Sequence, residues 1–141
     1  MAFQRSLALG KIYEQKLKEV FEHDTFEVME GHFPDYDAVI THNGESITFE
    51  SKADTYAKYY QSIAIEFSYK DNPSGIETTK ADYWVHWIVG TDELFIIPTY
   101  KLRKIIKKVN PSWKSGGDGY NSNIYILDMK YINKYRRHLL S

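Results

Sequence analysis

Four charged residues in the first half of the chain have the types and spacing to handle a phosphate ester. Asp35 and Asp37 lie in Pro34-Asp35-Tyr36-Asp37, and Glu50 and Lys52 lie in Phe49-Glu50-Ser51-Lys52. Asn43-Gly44 separates two alternating runs between them. Asn-Gly in that setting favours a two-residue type I′ turn, and the turn fixes the register of the hairpin it closes. His42 then faces Glu45, Ile40 faces Ile47 and Ala38 faces Phe49; continued outward, Asp37 faces Glu50 and Asp35 faces Lys52. Alternation puts Asp35, Asp37, Val39, Thr48, Glu50 and Lys52 on one face and Ala38, Ile40, Ile47 and Phe49 on the other.

Opposed residues of an antiparallel pair have Cβ atoms about 4.5–5.5 Å apart, close enough for two carboxylates to share one hard cation. Mg²⁺ takes one or two carboxylates, keeps several waters and completes its shell with phosphate oxygens. Such an ion polarises a phosphodiester and generates a nucleophilic water near neutral pH. A neighbouring lysine can orient or help deprotonate that water and offset transition-state charge. Ion pairs on a solvated strand face, Asp35–Lys52 and Glu50–Lys52, are the plainer reading of the same residues.

The elements that must hold this hairpin are readable in outline. From Ser6, a plausible N-cap, to His23, apolar residues recur at helical spacing. Strand-like runs follow at 26–30, 36–42 and 46–53; residues 55–62 are ambiguous between loop and short helix, and 63–70 read as a strand. Residues 71–82 read as a loop or single helical turn. A second hairpin spans 83–98 around Thr91-Asp92, and an amphipathic basic helix, 99–109, ends at Asn110-Pro111. A Gly-rich loop at 114–122 precedes a strand at 123–129 and a basic tail that reads as a last helix. The fold class is mixed α/β (α+β), one domain over 1–141.

Composition narrows the function classes. The 141 residues include no cysteine, which excludes disulfides and thiolate metal sites and fits a reducing cytosol. The sequence has no apolar run of transmembrane length and no signal-peptide pattern, so the expectation is a soluble cytoplasmic protein without a membrane partner. Residues 1–70 hold seven Lys and Arg against twelve Asp and Glu, while residues 71–141 hold eleven against seven. An acidic half for a metal and a basic half for a polyanion would produce that split, as would ordinary charge scatter.

Pro34-Asp35-Tyr36-Asp37, then a strand, a turn and Phe49-Glu50-Ser51-Lys52, resembles the PD-(D/E)XK nuclease superfamily. Residues 72–84, Asn-Pro-Ser-Gly-Ile-Glu-Thr-Thr-Lys-Ala-Asp-Tyr-Trp, resemble a segment of its small phage-encoded members and extend the similarity over most of the chain. The resemblance implies a core of helix, three strands, helix and strand, here with an extra hairpin, and Mg²⁺-dependent hydrolysis of DNA, with Mn²⁺ able to substitute. It implies a phage or mobile-element origin and, for cutting both strands, a homodimer. Asp37, immediately before Ala38-Val39-Ile40, matches the family's first acid better than Asp35, and Glu50 and Lys52 match its (D/E)XK element. The implied metal ligands are Asp37, Glu50 and the Ser51 backbone carbonyl, with Glu14 as the glutamate that many members carry on the first helix.

Other residues are candidates on their own positions. Glu14 lies along the apolar stripe of the first helix with Gly10, Leu17 and Phe21, where an unpaired acid is costly. Its alternative is a stripe-edge residue paired with Lys11 or Lys18. Asp35 and Glu66 are additional acids, and Gln61 is a candidate water-orienting group. Ser74, Thr79 and Lys80 sit in a small polar loop suited to phosphate, or to turn chemistry alone. Lys101, Arg103, Lys104, Lys107 and Lys108 could track a DNA backbone, or simply form a solvated basic face. The functional expectation is a metal-dependent DNA endonuclease. The alternatives are a catalytically idle nucleic-acid-binding or replication accessory module on the same fold, or an interaction protein whose acids only form ion pairs.

Overall fold

The structure is a computed structural model and describes residues 2–30, 35–116 and 121–139, with the side chains of 2–7 left aside. Helix α1 spans Ala2–Val20, so Ser6 lies inside the helix rather than capping it. A meander follows: β1 (Thr25–Val28), β2 (Ala38–His42) and β3 (Glu45–Asp54). Asn43 and Gly44 adopt φ of 53° and 81°, the left-handed pair of a type I′ turn. The register is the one the turn dictates, with His42 opposite Glu45, Ile40 opposite Ile47 and Ala38 opposite Phe49.

After β3 the chain makes one helical turn, α2 (Ala57–Tyr60), then β4 (Ser62–Tyr69), a two-residue β5 (Asn72–Pro73) and a 3-10 turn over Gly75–Glu77. It returns as β6 (Tyr83–Ile88), parallel to β3, and β7 (Glu93–Pro98), antiparallel to β6. Helix α3 (Thr99–Val109) ends at Asn110, whose φ of 52° makes it a left-handed cap. Strands β8 (Trp113–Gly116) and β9 (Ser122–Asp128) follow, then two 3-10 turns and β10 (Arg136–His138). The tail is therefore not a helix: β10 pairs antiparallel with β7 and closes that edge of the sheet. Nor is 114–116 loop, since β8 pairs with β9; Gly117 to Tyr120, like Pro34, lie outside the described residues.

Two sheets result. One has the order β1-β2-β3-β6-β7-β10, the other β5-β4-β9-β8. The strand at 62–69 thus joins β9 in a second sheet instead of extending the first. One face of the six-stranded sheet buries Ala38, Ile40, Phe49, Val85, Trp87 and Leu94 against Leu17 of α1. On the other face Trp84, Ile88, Phe95 and Ile97 pack on Ile63, Ile65 and Leu127 of the second sheet and on Leu102 and Ile106 of α3. The order of layers is α1, six-stranded sheet, then second sheet with α3. None of the described helices is long and apolar enough to cross a membrane.

Candidate metal and phosphate site

Alternation along β3 and its parallel register with β6 place Glu50, Lys52 and Asp54 on the same face as Trp84, His86 and Ile88. That face looks toward the second sheet, so the charged residues sit where the two sheets part. Glu50 is 8% exposed, and its Oε2 lies 3.2 Å from the Lys52 ammonium. Its Oε1 accepts a hydrogen bond from the Thr79 hydroxyl at 2.8 Å.

Asp37 comes to the same place from the other arm of the hairpin. Its N–H donates to the Phe49 carbonyl at 2.8 Å, and its Oδ2 accepts from the Ser51 N–H at 2.8 Å. Burial, and then the charge of Glu50, push its carboxyl up to about 7 despite Lys52 and the Ser51 hydrogen bond. Burial of Asp37 and its nearness to Glu50 both disfavour a second negative charge here, and a cation between the two would offset it.

Lys52 experiences the reverse. Burial works against its charge, but Glu50, Asp37 and Glu66 outweigh it and hold the ammonium above its ordinary range. In this arrangement the acids around Lys52 favour its protonated form. Glu14, half-buried on α1, belongs to the same field: burial raises its carboxyl, Lys52 lowers it and Glu50 raises it.

Glu66 closes the cluster from β4. Ser74 donates to its Oε2 at 2.9 Å and Ser122 to its Oε1 at 2.7 Å. The register of β4 against β9 shifts between Glu66 and Ser68, a bulge of the kind that re-aims side chains beside functional sites. Gly75 is required here: its φ is +55°, and a Cβ would overlap the Glu66 carbonyl oxygen.

Several expectations are redirected. Asp35 does not face Lys52. The strand departs after Asp37, so Asp35 pairs with Lys80 at 3.8 Å while its carbonyl accepts from the Lys80 N–H at 2.8 Å and the Thr79 hydroxyl at 3.2 Å. Ser74 and Thr79, read as phosphate contacts, spend their hydroxyls on Glu66 and Glu50. Gln61 is exposed at the left-handed end of α2, where its carbonyl accepts from the Met129 N–H at 3.0 Å. The Ser51 hydroxyl lies on the opposite face from Glu50 and accepts from the Trp87 indole at 2.9 Å, which leaves the expectation for its backbone carbonyl as it stood. Arg103, though exposed, commits its guanidinium to the carbonyls of Ile76 (2.9 Å) and Thr79 (2.6 Å), fastening the loop that holds Glu50. Lys104, Lys107 and Lys108 remain exposed on α3.

One linked group escapes sequence reasoning. Asp54 Oδ1 accepts from the N–H groups of Tyr56 and Ala57, and Oδ2 accepts from Ala64 N–H and His86 Nε2. Against burial, the His86 bond and then the backbone donors pull its carboxyl down to about 2. The Trp84 indole can only donate, so His86 Nδ1 accepts and Nε2 carries the proton given to Asp54. The available signal is Glu50-Ser51-Lys52-Ala53-Asp54, which continues the charged face by one more alternate residue.

Among the described residues no three His, Asp or Glu side chains form a ready-made metal cage. Mg²⁺ does not need one, because one or two carboxylates with waters and phosphate oxygens suffice. Asp37 and Glu50 offer that oxygen-only donor set, and burial first, then the charge of Glu50, raises the Asp37 carboxyl. Compared with protein-family models, curated proteins and solved structures, the chain has no significant match.

Proposed function

We propose that this chain is a divalent-metal-dependent DNA endonuclease of the PD-(D/E)XK type, hydrolysing phosphodiester bonds at the Asp37–Glu50–Lys52 cluster. The observation that carries the reading is the convergence of two arms of one hairpin on a single charged mouth. Asp37 is pinned to the Ser51 N–H while Glu50 is paired with Lys52. The antiparallel β1-β2-β3 meander with β6 parallel to β3 also agrees with a core of this type.

Asp37 and Glu50 would hold Mg²⁺ or Mn²⁺, with the Ser51 carbonyl and Glu14 as the further ligands proposed from the family pattern. When bound, the ion supplies Lewis-acid polarisation of the phosphate and a water of lowered pKa. Lys52, held protonated by its acids, binds a non-bridging phosphate oxygen and offsets charge that grows as the ester bond breaks. Thr79 fixes the rotamer of Glu50, and Arg103 fixes Thr79. Glu66, immobilised by Ser74 and Ser122, balances the Lys52 charge from the facing sheet. Lys104, Lys107 and Lys108 lie on the helix that fastens the Thr79 loop and supply sequence-independent contacts to the DNA backbone. One such mouth cuts one strand, so cleavage of both strands takes two copies of the chain.

A catalytically idle DNA-binding module has one observation in its favour: Glu50 is already engaged on both oxygens, by Thr79 and Lys52. Incubating the protein with supercoiled, single-stranded and branched DNA in Mg²⁺, Mn²⁺ or EDTA separates the two. The nuclease reading expects nicked or shortened products with metal and none with EDTA. Intact DNA in every metal, with salt-sensitive binding retained, leaves the idle module.

A further inference from the structure

We infer that the cleft between α2 and the outer face of the second sheet seats an unpaired nucleobase, so that the DNA bound here is single-stranded or frayed next to the acid cluster. This inference rests on the nuclease reading for its polymer but is tested by binding alone. The cleft has a volume of about 390 Å³ and is lined by Asp54, Tyr56, Tyr60, Ser62, Ala64, Lys114, Ile124 and Ile126. That size lies in the range of about 300–1,000 Å³ that takes a small ligand, not a duplex.

Its chemistry is that of a base seat. Register explains the floor: Ala64 pairs with Ile126, Glu66 with Ile124 and Lys114 with Ile124, which places these side chains on one face of the sheet. Ala64, Ile124 and Ile126 give an apolar surface for a flat ring. Tyr56 and Tyr60, one helical turn apart, stand over it with ring centroids 6.5 Å from each other. They are 68% and 70% exposed, so both rings present surface on which a flat ligand can stack. Exposed aromatics beside an apolar floor bind any of the bases, because each has a π-face.

Charge selects which end of a nucleotide enters. Asp54 is the anion of the lining, and both its oxygens are turned into backbone and His86 donors. A phosphate would be repelled there, whereas a neutral base would not. Lys114 is the cation of the lining, and it sits on exposed β8, where the sugar-phosphate would leave the cleft. Continuity with the cluster is direct. Asp54 of the lining and Lys52 are alternate residues of β3, so their Cα atoms are roughly 6.5–7 Å apart with side chains on one face. A base in the cleft therefore places a nearby phosphate of the same strand toward Lys52.

Tyr59 supplies an internal control. It is 68% exposed, as Tyr56 is, yet it is not part of the cleft and lies instead beside the Lys58 ammonium, 4.9 Å from its ring centroid. The experiment measures binding of a fluorescein-labelled 15-mer, single-stranded or as blunt duplex, in EDTA, by anisotropy. Single-stranded DNA should bind about tenfold or more tighter than duplex, and Tyr60→Ala or Tyr56→Ala should weaken it at least about fivefold, the effect of losing one stacked base. Tyr59→Ala should leave it unchanged, and Tyr60→Phe should keep most of it. A 2-aminopurine placed within the strand should be quenched by wild type and not by Tyr60→Ala. Equal affinity for duplex, or equal losses in Tyr59→Ala and Tyr60→Ala, overturns the base seat while leaving a nuclease that cuts DNA in Mg²⁺ intact. Absence of binding to any DNA overturns both readings.

Discussion

Asp37→Asn should make the protein more stable at pH 8 and inactive. In the folded chain burial and Glu50 raise the Asp37 carboxyl from 3.8 to about 7. A carboxyl raised on folding binds its proton more tightly in the native than in the unfolded state. Stability from this group is therefore greatest below pH 4, falls as pH rises through the interval from about 4 to 7, and is lost above it. A shift of this size corresponds to a ceiling of about 4 kcal/mol. Burial is the larger cause and asparagine remains a buried polar group, so the substitution should recover only part of that ceiling, roughly 2 kcal/mol. Asparagine keeps a carbonyl oxygen where Oδ2 accepts the Ser51 N–H, so the hairpin tie survives. For a chain of this length that gain raises Tm by about 5–8 °C. Melts followed by circular dichroism in EDTA, at pH 5 and pH 8, are the assay. The variant should melt well above wild type at pH 8 and within a degree or two at pH 5. Mn²⁺ should then raise the Tm of wild type at pH 8 and leave Asp37→Asn where it is. A variant that melts at or below wild type at pH 8 would refute the claim that the two acids are held together against their repulsion.

Lys52→Ala should lose cleavage by a hundredfold or more in single-turnover assays while still binding Mn²⁺ by calorimetry; a folded variant cutting at the wild-type rate rejects the assigned role of the ammonium. Asp54 sets a second, acid-side dependence: its carboxyl lies at about 2 when folded, so its contribution of roughly 2 kcal/mol is complete above about pH 4 and fades as pH falls toward 2. Urea titrations of Asp54→Asn and wild type should differ by at least that amount at pH 7 and by less than half of it at pH 2.5. Arg103→Ala frees the carbonyls of Ile76 and Thr79 and should weaken Mn²⁺ binding about fivefold or more through the loosened Thr79–Glu50 bond. Thr79→Val should reproduce that loss with a smaller change in Tm, whereas unchanged metal affinity in both variants would reduce Arg103 to a structural clasp.

The hairpin is readable from sequence because Asn43-Gly44 leaves one turn type open, and the turn then dictates every pair out to Ala38 and Phe49. Its end is not readable. Whether Asp35 continues the ladder depends on what the departing chain meets, and it meets Thr79, 44 residues later in sequence. Alternation likewise identifies β4 as a strand but says nothing about its partner, so its place beside β9 in a second sheet is a tertiary outcome. The tail shows the same limit. Residues 136–138 carry no strong strand pattern and become one because the open edge of β7 accepts them. Arg103 looks like any other basic residue on an amphipathic helix until the 76–79 loop is folded against it. His86 is hidden by its apolar neighbours, and only its alignment with Lys52 across the parallel pair brings it near Asp54.

The parallel junction of β3 with β6 has a consequence for the order in which the molecule is assembled. On either side of it lie antiparallel hairpins, β2-β3 and β6-β7, whose partners are close in sequence and can zip within about 1–10 μs. Joining them requires the whole excursion from Thr55 to Asp82 to be laid down, and non-local parallel pairing is slow because the entropy of closing the loop is lost before the strands can bond. Glu66, Ser74 and Thr79 all ride on that excursion. A refolding chain should therefore recover hairpin signals first and the acid cluster last. Metal-dependent fluorescence from Trp84, beside Lys52, would then report the closing event rather than the initial collapse.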